Sequence, residues 1–371
     1  MNWQLFFAWV PFTALAVVFL FGAVPCRLRF RGLLTALAFL AVCAAKNIVY
    51  RHLGGDPYWP DLPRAVVISW DCLNAGLLMA APMAMVFGLV AFFMPLRVRR
   101  FAAAVLAACA WIVGTVGVWS TQIDPRLVEI EARCPNLPPQ LEGLRIVQLS
   151  DLHVCATTAD DRIARVVERV NALRPDLVAL TGDYADGWSP RRWQVLEPLR
   201  KLKTHDGVFA VPGNHEYYYG YHPLMQKFAQ WNVRLLTNTC ATVRGGRLAI
   251  GGVHHDQVVF HRECGDLPDV GRAFRHAPAG AFRILLSHAP LYARRDVARH
   301  GIGLQLSGHT HGGTLPIVYG VVSDYNNGFV RGLYDVNGVP LYVSSGMGEW
   351  GKVPIRLFDP TEITLITLKR K

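Results

Sequence analysis

The chain has 371 residues, 52% of them hydrophobic and 18% charged, with a formal net charge of +11 and a mean hydropathy of +0.23. That length allows two regions with a sizeable core, and that hydropathy excludes a soluble enzyme along the whole chain. Nucleic-acid binding is a poor explanation of the charge, because residues 1–120 are the most apolar part and still hold nine basic residues against Asp56, Asp61 and Asp71.

From the N-terminus, four apolar stretches at about 3–24, 33–50, 66–95 and 101–119 are near or above the length of a bilayer crossing, the second interrupted by Lys46. Cleavage after the first is not expected, since no basic segment precedes it and more apolar stretches follow. Arg27, Arg29 and Arg31 follow the first span, and Arg97, Arg99 and Arg100 follow the third. Both clusters lie on short loops, so both are expected in the cytoplasm. The 51–64 loop and everything after Trp119 then fall outside, in a multi-pass protein of the cytoplasmic (inner) membrane. Trp3, Tyr50, Tyr58, Trp59, Trp70 and Trp119 either form an aromatic belt at that outer interface or fill helix packing. Lys46 and Asp71 come at similar depth, either as an ion pair or as side chains that snorkel separately. No series of ionisable residues suggests a transporter.

The organisation expected is a transmembrane helical region over 1–120, a linker over 121–143 and a catalytic domain over 144–371. In the last, short apolar runs alternate with amphipathic segments, the pattern of an α/β architecture. The runs are RIVQLS (145–150), LVAL (177–180), VFAV (208–211), RLAIGGV (247–253), RILLS (283–287), LQLS (304–307), LYVSS (341–345) and ITLITL (363–368). Between the first two, residues 161–173 carry apolar side chains at helical spacing.

Five runs end in metal-ligand chemistry: Asp151 and His153, Asp183, Asn214 beside His215 and Glu216, His288, and His309 with His311. Ligands of open α/β sheets gather at the carboxyl ends of strands, so these segments are expected to converge. His309 and His311, one residue apart in extended backbone, would share a side. Imidazoles, carboxylates and one amide oxygen suit Mn, Fe or Zn, and not a thiolate zinc site. A carboxylate is the natural bridge between two ions, and Asp183 is the best placed for it.

At these residues the sequence resembles the calcineurin-like metallophosphoesterase superfamily: DLH, GDYAD, GNHE, a lone histidine in SH, and GHTH stand in that family's order over about 144–371. LRIVQLSDLHV, GVFAVPGNHEYY, LSGHTHGG and LYVSSGMG…PIRL are similar to its bacterial membrane-anchored members. The resemblance implies a four-layer αββα sandwich of two mixed sheets holding two divalent metal ions. It would place metal 1 on Asp151, His153, Asp183 and His311, and metal 2 on Asp183, Asn214, His288 and His309. His215 would handle a proton as general acid; Asp186 and Glu216 would orient imidazoles or merely solvate their loops.

Some positions depart from the pattern. Cys155 and Thr314 replace a usual Gly and Gln, and Trp188-Ser189-Pro190 stands where protein phosphatases carry an Arg, which argues against that activity. Cys155 is read as a packed side chain in preference to a metal-proximal thiol. His254, His255 and Asp256 form either another metal cluster or, the blander account, a loop near the substrate. Eight cysteines without a CxxC leave room for one or two disulfides if the domain lies outside.

The expected function is a membrane-anchored dinuclear-metal phosphoesterase. It would cleave a phosphodiester or pyrophosphate, a lipid-linked substrate among the candidates, by attack of a metal-bridging hydroxide. A broad extracytoplasmic small-molecule phosphodiesterase is the runner-up, and a non-catalytic membrane receptor keeping the fold is the alternative from another class.

Overall fold

The computed structural model describes residues 56, 58–60, 62–91, 93–261, 264–291, 293–350 and 354–371, and the chain divides into Met1–Gln122 and Ile123–Lys371. In the first unit, helices α1 (Arg64–Ala91) and α2 (Leu96–Gln122) flank Pro95. Small residues bring them close: a side chain at Gly114 would stand 2.5 Å from the backbone of Ala75. Among the described residues one helix, α2, is long and apolar enough to cross a membrane. The spans expected over 3–24 and 33–50, and Lys46, lie outside the described residues. The described residues therefore support one crossing where the sequence suggests four. The face of α2 carrying Phe101, Val105, Ile112, Val116 and Trp119 is exposed, as a lipid-facing surface is.

The second unit holds two six-stranded mixed sheets. The strands are β1 (Arg126–Cys134), β2 (Arg145–Leu149), β3 (Leu177–Leu180), β4 (Gly207–Ala210), β5 (Val233–Leu235), β6 (Thr239–Val243), β7 (Leu248–Gly252), β8 (Phe282–Leu286), β9 (Leu304–Ser307), β10 (Gly332–Val336), β11 (Val339–Val343) and β12 (Glu362–Arg370). Sheet one runs β1-β12-β2-β3-β4-β5, with β2 to β5 parallel; sheet two runs β10-β11-β9-β8-β7-β6, with β7, β8, β9 and β11 parallel. These central strands are short and almost wholly apolar, as strands covered on both faces must be.

The stretch read as a linker, 121–143, is corrected by β1, which lies inside it and pairs in parallel with β12. Its Val128, Ile130, Ala132 and Cys134 alternate with outward polar residues, but the partner strand lies over 200 positions downstream, so nothing local announces the pairing.

The core sits between the sheets. Ile146, Leu177, Ala179 and Phe209 of sheet one meet Leu248, Ile250, Ile284 and Leu304 of sheet two, each of the larger side chains contributing about 1.5–3 kcal/mol by burial. On the outer face of sheet two, Leu285, Leu341 and Val343 pack with Val270 and Ala273 from a short helix Val270–Ala273, and with Ala293 and Val297 from Ala293–Arg299. Helix α3 (Arg162–Ala172) crosses from β2 to the parallel β3 and buries Ile163, Val166, Val167 and Val170, at the expected helical spacing.

Candidate metal centre

The loops after β2, β3, β4, β8 and β9 bring the candidate residues together. Asp151, His153 and His311 form one group of potential ligand atoms within 4.8 Å of one another; Asp183, His288 and His309 form a second; His153, Asp186 and His215 form a third. All of these except His215 and His309 are nine-tenths or more buried, which leaves water little access.

Asp183 joins the groups. Its Oδ2 is 3.4 Å from His153 Nε2 and 3.3 Å from His288 Nε2, while its Oδ1 accepts the backbone N–H of His215 at 2.9 Å. Burial alone would raise its pKa, but His288 and His215 beside it hold the carboxyl well below the usual carboxylate range. Gly213 admits this approach: a Cβ there would stand 2.1 Å from Asp183 Oδ1.

His309 and His311 do not share a side through extended backbone. Strand β9 ends at Ser307, and the two histidines follow with φ of 73° and 48°. That conformation sends His309 Nδ1 to 3.2 Å from His288 Nε2, and His311 Nε2 to 3.0 Å from His153 Nε2, one to each group. Asp151, His153 and Asp183 also have positive φ, of 52°, 41° and 56°. Five non-glycine residues in this disfavoured region within one cluster mark strain held by a functional site.

Neighbours fix the ring orientations. His153 Nδ1 donates to Asp186 at 3.1 Å and His288 Nδ1 to the Thr181 carbonyl at 2.6 Å, which turns both Nε2 atoms toward Asp183. Burial and neighbouring His288 push the His309 imidazole down to about 3, so it is neutral with a free lone pair. Arg356, fully buried in the PIRL segment, places Nη2 3.0 Å from His311 Nδ1. The neutral His311 ring then carries its proton on Nε2, which stands 3.0 Å from His153 Nε2 and 3.4 Å from Asp151 Oδ1. Sequence reasoning gives Arg356 no part, and it misses Trp350, stacked 6.0 Å from His311.

Asp186 accepts from the Nδ1 of both His153 and His215. Burial opposes its ionisation, but the two imidazoles outweigh that and hold it low. His215 is pushed the other way: burial would lower it, yet Asp183 and Asp186 raise it to about 10. Glu216, expected to orient an imidazole or only to solvate its loop, instead accepts the backbone N–H groups of Gly213, Asp183 and Tyr184 at 2.7, 2.9 and 2.9 Å. It fastens the ends of β3 and β4 to each other. Cys155 Sγ packs 3.1 Å from both Thr157 Oγ1 and Glu349 Oε1, and burial and Glu349 push its thiol up, which suits a packed side chain and not a ligand. No disulfide forms among the described residues, which include Cys72, Cys109, Cys134, Cys155 and Cys240.

The residues fit divalent metal ions. Buried imidazole and carboxylate atoms converge in two groups around a shared carboxylate, and Asn214 Oδ1 is buried with no hydrogen-bond partner. An orphaned buried carbonyl oxygen costs about 1–3 kcal/mol unless something fills its valence, and a cation would.

Comparison with known proteins agrees with this chemistry. Residues 144–313 match the family model of the calcineurin-like phosphoesterases. A Helicobacter pylori protein named "Uncharacterized metallophosphoesterase" is 35% identical over 230 residues, covering 62% of this chain and 60% of its own. A Danio rerio "Transmembrane protein with metallophosphoesterase domain" is 33% identical over 271 residues, 70% of this chain and 61% of its own. The chain thus spans about 60% of the length of these curated relatives. Among solved structures, a 5'-nucleotidase precursor from Thermus thermophilus aligns with a TM-score of 0.39 at 16% identity, over 60% of this chain and 54% of that one. Through residues 144–313 the chain belongs to the calcineurin-like phosphoesterase family.

Proposed function

We propose that the chain is a membrane-anchored hydrolase of a phosphodiester or pyrophosphate, lipid-linked in its natural form, built as an αββα sandwich around two divalent ions of Mn, Fe or Zn. The observation that carries the hydrolase reading is Asp183 Oδ2 within 3.4 Å of histidines from both ligand groups. Metal 1 would be held by Asp151, His153, Asp183 and His311, and metal 2 by Asp183, Asn214, His288 and His309. Two such ions, when bound, neutralise phosphoryl oxygens and acidify a water.

The chain's own residues do the rest. Asp186 holds His215 by its Nδ1 and keeps the imidazole protonated, so that Nε2–H can be given to the departing oxygen. Tyr218 and Tyr219 pack against the His215 ring at 5.5 and 5.7 Å, and Tyr218 is 37% exposed, an aromatic wall where a leaving group would lie. Buried surroundings strengthen each of these interactions. Support for the anchor is α2 with its exposed apolar face and the relatives named as transmembrane proteins. The lipid linkage rests on that anchor, which would tether the chain to a bilayer. Its experiment is hydrolysis by the purified full chain of nitrophenyl monoester, bis-nitrophenyl diester and pyrophosphate probes, before and after chelation. Turnover of diester or pyrophosphate that chelation abolishes is the expected result; no metal-dependent turnover of any probe would sink the reading.

A further inference from the structure

We infer that His255, delivered by a sixth strand, donates a hydrogen bond to a phosphoryl oxygen on the His288 and His309 side of the centre. The inference rests on the phosphoesterase reading and adds a substrate-binding residue to it. Strand β7 runs parallel to β8, so its chain leaves at the same edge as the ligand loops, and His254 and His255 follow one residue after it ends. The Tyr217 hydroxyl lies 2.8 Å from His254 Nδ1 and takes the His255 backbone N–H at 3.4 Å, which pins both residues. The His255 ring is buried, its centroid 5.5 Å from that of His288 and 5.3 Å from that of His309.

The ring is wired in the opposite sense to His153 and His288. Their Nδ1 atoms donate to acceptors, which leaves Nε2 as the atom turned toward the ligand groups. The Nδ1 of His255 accepts the Gln257 backbone N–H at 3.2 Å, so the neutral ring carries its proton on Nε2. His311 is wired like His255 through Arg356, but its Nε2 converges with Asp151 and His153; among the described residues no group of three converging ligand atoms includes His255. His255 thus offers no ligand atom to the second group, and the N–H on its ring can be given to an oxygen anion bound there. Two histidines then flank the centre from opposite groups, His215 against His153 at 4.6 Å and His255 against His288 and His309.

The test uses the full chain loaded with manganese, as wild type, His255→Ala and His255→Gln. Metal content is read by elemental analysis, and inorganic phosphate binding by calorimetry, which needs no turnover. Both variants are expected to keep the wild-type number of ions. Phosphate should bind about tenfold more weakly to His255→Ala, with His255→Gln recovering most of the loss, because its amide restores a donor. The KM for a diester should rise in step. Loss of ions in both variants, or unchanged phosphate affinity in His255→Ala, overturns the assignment. A wild-type chain that binds phosphate but hydrolyses no ester would sink the hydrolase reading, and the phosphate comparison would still decide the role of His255.

Discussion

Asp183 reaches His288 with one carboxylate oxygen at 3.3 Å, and its other oxygen is occupied by the His215 backbone N–H. The free oxygen thus faces the ligand groups in one orientation only, as a bridge between two ions requires. Asp183→Asn replaces that bridging charge by an amide. Elemental analysis of the purified variant should show metal content falling from about two ions per chain toward one or none. Full retention of two ions would remove Asp183 from the bridging position.

The pairing of Asp186 with His215 gives a second expectation. His215 contributes no atom to the groups that contain Asp151 or His288, so His215→Ala should keep its ions. Its rate on a substrate with an alkoxide leaving group should fall about 10²–10⁴-fold. The loss should shrink for a nitrophenolate, which departs without a proton. Equal losses on the two substrates would count against proton donation by His215.

Much of this centre could be read in one dimension, because the chemistry is carried by contiguous words. DLH, GDYAD, GNHE and GHTH each place a first ligand type two to four residues past a strand end, and the edge rule for α/β sheets predicts that they meet. What could not be read depends on contacts between distant segments or on backbone conformation. The positive φ of His309 and His311 separates two side chains that extended geometry would have put together. Arg356 reaches His311 across 45 positions, and β1 finds β12 across the whole domain. Glu216 follows a histidine in GNHE, yet it serves backbone N–H groups, a role that side-chain chemistry alone does not announce. His254 and His255 read as one cluster, and Tyr217 divides them between a structural bond and the centre.

His254 also sets a pH dependence of stability. Burial pushes its imidazole down to about 4, and its Nδ1 is engaged by the Tyr217 hydroxyl. The folded ring therefore stays neutral while the unfolded chain takes up a proton below about 6.5. This contribution is fully present above pH 6.5 and is lost as pH falls from there toward 4. His254→Gln keeps a hydrogen-bond acceptor and does not titrate. The difference in Tm between wild type and variant should narrow, or reverse in favour of the variant, between pH 6.5 and 4. A difference that stays constant over that interval would show that His254 does not titrate in this way.

The orientation expected of residues 123–371 rests on α2. Arg97, Arg99 and Arg100 crowd its first turns, and its last residues, Trp119-Ser120-Thr121-Gln122, carry no charge. The positive-inside bias would place the arginine end in the cytoplasm. Trp119, 62% exposed, suits the opposite interface, where indole rings collect. A chain that crosses once along α2 then delivers Ile123 and everything after it to the outer face. The prediction is read with two fusions after Lys371, one to a reporter active only when exported and one to a reporter active only in the cytoplasm. Signal from the exported reporter alone is expected. Signal from the cytoplasmic one alone reverses the orientation and turns the search for a lipid-linked phosphoester to the inner leaflet.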